Sequence, residues 1–475
     1  MKILFIYKYN YIEPVGLMYI SSALKQAGHE TYYFDMELSS HLEDYVRRVN
    51  PHIIAYSIVT GSHKYYAEIN RGLKKLFSFF SVFGGPHATF FPDFINEEGV
   101  DAVCRGEGEE AMVELVNQMK KNESLIEIKN FWIKQNNKIH RNPVRILQNN
   151  LDRIPYPDRE LVYKYHQYKH RSNKYILTSR GCPFDCTYCF NHSLKSLYKN
   201  LGDFCRKRSI ENVIKEIEQL RKSAPVKTVH FFDDIFILNK QWVIDFCKIY
   251  KNNISLPFNC YVRANLVDEE IIVALKQAGV HTITFAIETA DNHLRNSILK
   301  RNITDEQILE TADLLHRYHI KFFVQNMVGL PGETIDNALD TIRLNARCKP
   351  SCSLASIFQP YPGTELTEYA IENGYYSRDT KITYDSFYKK SLLKTPQRKQ
   401  FENLSWLFSV GVFLPRSINI IKLLIRLPLG YIYKAIWHIV RAYGYFFRIR
   451  WISVSDILIK LFRIKKQGGV PSVEK

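Results

Sequence analysis

At 475 residues the chain is too long for one ordinary core, and two or three domains are expected. A hydrophobic share of 46% with 24% charged residues is that of a soluble globular protein, and a formal net charge of +17 points to an anionic partner: nucleic acid, an acidic membrane surface or a phosphorylated substrate. Nine cysteines, an odd number with only one tight group, exclude a disulfide framework and fit a reducing cytoplasm.

The first seven residues lack the long apolar core of a signal peptide and read as a strand. From there to about residue 140, strand patterns over 2–7, 31–35, 52–57, 80–84 and 100–104 alternate with helical periodicity over 15–27, 41–49, 65–77 and 111–120. Such βα repetition implies a doubly wound, Rossmann-like parallel sheet, whose ligands sit at the carboxyl ends of the strands. Gly84-Gly85-Pro86-His87 and Arg105-Gly106-Glu107-Gly108-Glu109 fall at two of those ends. Residues 130–144 read as a hairpin turning at Asn136-Asn137, and Pro155 and Pro157 mark a linker.

The rhythm resumes over 172–365, with strands expected at 175–178, 228–232, 258–262, 281–286, 322–328 and 354–359. Polar or glycine-rich residues follow five of these ends, among them Asp233-Asp234, Arg263, Glu288 and Gly329-Leu330-Pro331-Gly332-Glu333, and a cysteine cluster follows the first. A complete or partial βα (TIM-like) barrel carries its site at this edge. Residues 416–451 mix Leu, Ile, Tyr, Phe and Trp with regularly spaced Arg and Lys, and no apolar run reaches the ~18–20 residues a bilayer span needs. Basic amphipathic helices lying on a membrane surface are expected there, with contact through 416–466. The expected division is a Rossmann-like domain (1–145), a linker (146–170), a barrel (171–395) and a helical tail (396–475).

The chemistry is concentrated in Gly181-Cys182-Pro183-Phe184-Asp185-Cys186-Thr187-Tyr188-Cys189-Phe190. Three thiolates within eight residues can hold three irons of a cubane and leave the fourth open to a ligand. The bland alternative is a zinc or ferredoxin-type site closed by His192. The five cysteines at 205, 247, 260, 348 and 352 read as small buried hydrophobes.

The CxxxCxxC loop, with an aromatic before its last cysteine and following the first strand of a βα domain, resembles the radical S-adenosylmethionine (SAM) superfamily over about 172–365. The preceding doubly wound domain is similar to that of the cobalamin-binding class, which includes anaerobic magnesium-protoporphyrin ester cyclase and cobalamin-dependent methylases. The resemblance implies a [4Fe–4S] cluster on Cys182, Cys186 and Cys189, whose open iron is chelated by SAM. Reductive cleavage of SAM then gives a 5′-deoxyadenosyl radical, with a reductase, flavodoxin or ferredoxin as electron donor. It further implies Tyr188 near the adenine, Glu288 at the ribose and Arg263 at the SAM carboxylate. Asp233 and Asp234 stand where the family has its SAM-amine motif, although the usual Gly-Gly-Glu is missing. Cobalamin is expected against Ser57, Thr60, Gly84 and Gly85, without a lower histidine ligand, because Asp-x-His-x-x-Gly is absent after the first strand. His87 reads better as a loop histidine bonded to backbone than as a cobalt ligand. Methylation of an unactivated carbon on a hydrophobic, lipid-like small molecule is the leading expectation, in the cytoplasm or on the inner face of the membrane. Radical cyclisation or oxidation is the second, and a non-catalytic iron–sulfur protein the third. Nucleic acid is disfavoured because the tail is dense in aliphatic side chains such as Ile418, Ile420 and Leu423.

Overall fold

The computed structural model describes residues 1–8, 12–136, 138–378 and 390–444. Its first sheet contains β1 (Lys2–Tyr7), β2 (Glu30–Asp35), β3 (Ile53–Ser57), β4 (Phe80–Gly84), β5 (Ala102–Cys104), β6 (Phe131–Gln135) and β7 (Lys138–Arg141), in the order β2-β1-β3-β4-β5-β6-β7. The first five pair in parallel, and β6 and β7 add an antiparallel hairpin. Helices cover both faces, which is why β1 and β3 are almost continuously apolar and buried rather than alternating. The strand order reverses between β1 and β3, so a crevice opens at their carboxyl ends.

After two short helices over 160–169 the chain enters a second sheet. It comprises β8 (Asn173–Ile176), β11 (Thr228–Phe231), β12 (Phe258–Tyr261), β13 (Val280–Glu288), β14 (Lys321–Val328) and β15 (Cys352–Ile357), all parallel and in sequence order. These are the six strands expected from the sequence, and the sheet is an open, partial barrel. A two-stranded ribbon, β9 (Ser179–Arg180) with β10 (Arg206–Lys207), flanks the cysteine loop. Capping boxes at Thr304 and Thr334 start the helices Asp305–Arg317 and Ile335–Cys348.

The C-terminal region differs from a free surface tail. Helix Arg398–Phe413 is buried nearly all round against β15 and helix Ile335–Cys348, with Phe401, Leu404, Trp406 and Phe408 inside. Helices Ile418–Leu424 and Gly430–Tyr443 pack on it through Ile418, Ile421, Tyr433 and Trp437. The apolar density of 400–437 therefore covers the β15 edge of the second sheet and, on its outer side, leaves apolar groups in solvent. Residues 445–466 of the expected tail, like Asn137 of the hairpin turn, lie outside the described residues. No described helix is long and apolar enough to cross a membrane.

The two sheets are joined by buried charges. Glu13, ahead of the first helix, accepts from Arg159 Nη1 at 2.5 Å, from Lys174 Nζ of β8 at 3.3 Å and from the Tyr163 hydroxyl at 3.2 Å. Arg159 Nη2 also donates to Glu216 Oε1 at 3.0 Å, and Glu216 Oε2 accepts from Arg208 at 2.5 Å. All five charged side chains are at most 8% exposed. Burial pushes the Lys174 ammonium down to about 8 despite Glu13 beside it, a direct sign of how much solvation has been surrendered. Glu216→Leu takes from the buried Arg208 its carboxylate partner and from Arg159 one of two, and is expected to lower the unfolding free energy by about 3–5 kcal/mol in urea denaturation.

Candidate active site

Gly181, Cys182, Cys186 and Cys189 belong to a loop between β9 and helix Phe190–Leu197, at the carboxyl edge of the second sheet and facing the carboxyl edge of the first. Gly181 has φ +87°, and a Cβ there would lie 2.1 Å from the Phe204 carbonyl oxygen, so only glycine lets the chain turn into the cysteines beside β10. Burial pushes the Cys182 thiol up to about 12 and Cys189 to about 11.

Around the loop lie the residues singled out from the sequence. The Tyr188 hydroxyl donates to Glu288 Oε1 at 2.9 Å. Glu288 ends β13 at a register shift with φ +68°, an uncommon backbone for a non-glycine residue, and burial raises its carboxyl although Arg301 lies 3.3 Å away. Arg263 is buried, lies over the Phe184 ring at 3.8 Å and reaches Cys186 Sγ at 3.6 Å, and it donates to the Arg301 carbonyl. Among the described residues it has no carboxylate partner, and its Nε bonds to nothing. The two aspartates separate. Asp233 is saturated by the backbone and hydroxyl donors of Thr178 and Ser179. Asp234 is solvent-exposed in the wall of the space between the sheets, beside Asn191, and the protein crowded around it raises its carboxyl. The glycine loop at 329–333 is closed on itself, because Glu333 accepts from the amides of Gly329 and Leu330 at 2.6 and 3.1 Å.

The loop borders two cavities. One, of about 540 Å³, lies between the two sheets and is lined by Ser57, Gly84, Gly85, Gly181, Asn191 and Asp234 among others. At Gly85, φ is +91° and a Cβ would meet Ile58 O at 2.9 Å, so the wall there is bare backbone. Thr60 is not in this wall: its hydroxyl meets His87 Nδ1 at 3.1 Å, and His87 stacks on His63 at 4.0 Å. Burial, with His63 adding to it, drops the His87 imidazole to about 3 and keeps it neutral. The second cavity, of about 360 Å³, lies in the mouth of the barrel, with Tyr188, Glu288, Tyr261, Gln325, Phe358 and Tyr361 in its wall.

The chain is similar to known proteins in both halves. The family pattern described as the B12 binding domain matches residues 1–116, and that of the Radical SAM superfamily matches 176–344. An uncharacterized methyltransferase of Pyrococcus horikoshii is 32% identical over 372 residues, covering 76% of this chain and 79% of that protein. This chain belongs to the radical SAM superfamily. Anaerobic magnesium-protoporphyrin IX monomethyl ester cyclase of Cereibacter sphaeroides is 27% identical to this radical SAM enzyme over 74% of this chain and 59% of the cyclase. In fold, the enzyme is similar to the radical SAM methyltransferase TsrM of Kitasatospora setae, at TM-score 0.64 and 18% identity over 79% of this chain and 76% of that one. It is also similar to the cobalamin-dependent enzyme OxsB, at TM-score 0.67 and 16% identity over 98% and 75%.

The enzyme's cofactors are therefore a [4Fe–4S] cluster, SAM and cobalamin, and the residues present fit them. The loop offers three soft sulfur donors without a fourth. His192, the zinc alternative, is instead turned to Asp185 at 3.0 Å and Glu365 at 3.8 Å. The inter-sheet cavity gives a bulky planar ligand a glycine-rich wall. The reading of the chain as a non-catalytic iron–sulfur protein gives way.

Several site residues were not singled out from the sequence. Arg301, which donates to Tyr188, follows a π-helical turn that has no sequence signal. Arg180 and Arg206 on the ribbon pair with Glu107 and Glu109, so the Arg105–Glu109 loop is a latch onto the second sheet as well as a cavity wall. Burial alone would raise the Glu107 carboxyl, but the two arginines overcome it and hold it low. Cys205, expected to be buried, is exposed. Gly181→Ala is expected to cost ~1–3 kcal/mol in backbone strain alone, and to lower iron bound per chain together with the thermal midpoint.

Proposed function

We propose that the enzyme methylates an unactivated carbon of a hydrophobic, lipid-like small molecule in a cobalamin-dependent radical reaction. The observation that carries this reading is that one cysteine loop borders both cavities: Gly181 and Asn191 face the space between the sheets, and Tyr188 faces the barrel mouth. When bound, the cluster and SAM supply the hydrogen-abstracting radical, and cobalamin supplies the methyl carrier. Cys182, Cys186 and Cys189 ligate the cluster. Arg263, a buried cation with no carboxylate of its own among the described residues, offers its charge to the SAM carboxylate. Glu288 offers its carboxylate to the ribose hydroxyls, and Tyr188 lies against the nucleoside. Arg301 keeps Glu288 and Tyr188 in place. Ser57, Gly84 and Gly85 line the corrinoid side, with Thr60 acting behind them through His87. Asp233 holds the turn after β8, which leaves Asp234 with Asn191 as the polar pair open to a ligand.

The hydrophobic substrate is supported by the barrel cavity itself. Phe323, Met327, Leu354, Ile357 and Phe358 make up much of its wall, and Glu288 is its one charged residue among those described, so nothing there would draw an anionic substrate in. Such a substrate would be met at the inner face of a membrane, and electrons would come from a reductase, flavodoxin or ferredoxin. The similarity to the cyclase favours one second reading, radical cyclisation or oxidation without methyl transfer.

The test is anaerobic reconstitution with methyl-deuterated SAM, a strong reductant and a lipid extract. Methylation predicts a product carrying the label alongside 5′-deoxyadenosine. An unlabelled cyclised or oxidised product, with 5′-deoxyadenosine still formed, points to the second reading. Cys182→Ser, Cys186→Ser and Cys189→Ser are each expected to abolish 5′-deoxyadenosine formation. Arg263→Leu is expected to keep the iron and raise the KM for SAM about tenfold or more, the scale of one lost charge-assisted pair.

A further inference from the structure

We infer that the outer face of the C-terminal helices docks on an anionic bilayer surface, with the barrel mouth beside it. Two independent observations coincide there. From residue 403 to residue 455 the sequence has no Asp or Glu and seven Lys and Arg. On the same stretch, large apolar side chains stand in solvent: Ile420 at 58%, Leu423 at 63%, Ile432 at 54% and Tyr431 at 93% exposure. These are not residues awaiting a core, because the inner faces of the same helices are already packed through Ile418, Ile421, Ile425 and Trp437. Single exposed apolar residues are ordinary; several on adjoining turns, interspersed with exposed Arg416, Arg426 and Lys434, are not.

The position of the patch gives it a use. Asn403 Nδ2 donates to the carbonyls of Ile425 and Leu427 at 2.8 and 3.1 Å, which pins the turn before Tyr431 to the start of helix Arg398–Phe413. Two residues earlier in that helix, Phe401 packs against Gly329 at the carboxyl end of β14. The turn that carries Leu427, Leu429 and Tyr431 is therefore tied, through the start of that helix, to the carboxyl end of β14, the sheet edge at which the barrel cavity lies. Lys422 is paired with Asp336 of a neighbouring helix, which leaves exposed Arg416, Arg426 and Lys434 among the aliphatic side chains, and this mixture matches the boundary between acyl chains and anionic headgroups, where Lys and Arg extend to phosphate while the apolar groups insert. A nucleic acid would reward the cations and the tyrosine but not the exposed leucines and isoleucines. The inference deepens the membrane side of the proposed function and is independent of which reaction the site runs.

The test uses the full chain in sedimentation with vesicles of phosphatidylcholine, with and without phosphatidylglycerol. Binding to the mixed vesicles only is expected, weakening as salt shortens the Debye length from about 10 Å at 0.1 M to about 3 Å at 1 M. Leu423→Glu with Tyr431→Glu is expected to weaken binding ~10-fold or more. Leu76→Glu, at another exposed leucine, is expected to leave it unchanged. Each altered side chain is exposed, so thermal unfolding should match the parent, and 5′-deoxyadenosine formation should persist, which separates failure of docking from failure of the chemistry. Equal binding to neutral vesicles, or binding unaffected by the double substitution, overturns the inference. So does a dimer in light scattering that the double substitution converts to monomer, since a second copy would then cover the face. RNA binding lost in the same variant would overturn it as well.

Discussion

Glu13 is the constraint on which the arrangement rests. It belongs to the first sheet's half of the chain, yet its partners Arg159 and Lys174 come from the linker and from β8 of the second sheet, and Arg159 passes the connection on to Glu216 and Arg208. Buried ion pairs are poor sources of net stability, because dehydrating the charges consumes most of the attraction. Their strength is intolerance of error, since a misplaced partner leaves a charge uncompensated in the interior. Here that intolerance fixes how the carboxyl ends of the parallel strands of the two sheets face each other. The latch of Arg180 and Arg206 on Glu107 and Glu109 repeats the device on the other side of the cavity.

With the edges fixed, one short loop can serve two chambers. A radical is useful only if it is generated close to both its target and the group that completes the reaction, and away from water. The cysteine loop borders both cavities, and glycines stand at 85 and 181, where a side chain would collide with backbone. The left-handed backbone at Glu288 is the other local cost. It turns an acidic side chain into the barrel mouth, where burial and Arg301 act on it in opposite directions.

Much of this was legible in the sequence. The apolar runs of the parallel strands marked β1 to β5 and the six barrel strands to within a few residues, and the spacing of Cys182, Cys186 and Cys189 pointed to the superfamily to which the chain belongs. What was not legible depends on pairing across distance. Glu13 sits before Pro14 in what reads as an ordinary loop, and Lys174 reads as a polar residue at a strand start; neither has a local signal of burial. Arg301 follows an irregular π-helical turn, so no periodicity points to it. Asp233 and Asp234 are identical in sequence, and only the donors of Thr178 and Ser179 tell them apart. The helix Arg398–Phe413 is buried nearly all round, Glu402, Asn403, Ser405 and Ser409 included, and its mixed sequence carries no periodic signal of an interior element.

The span of the Glu13 pairs bears on how the chain is made. Arg159 is 146 residues downstream and Lys174 is 161. As the protein emerges from the ribosome, the first sheet can form while this carboxylate is still hydrated, at no cost. Only when residues 159–174 have been translated are both cations that pair with this carboxylate available. The junction between the halves therefore closes late, after the first sheet has the means to fold as a unit.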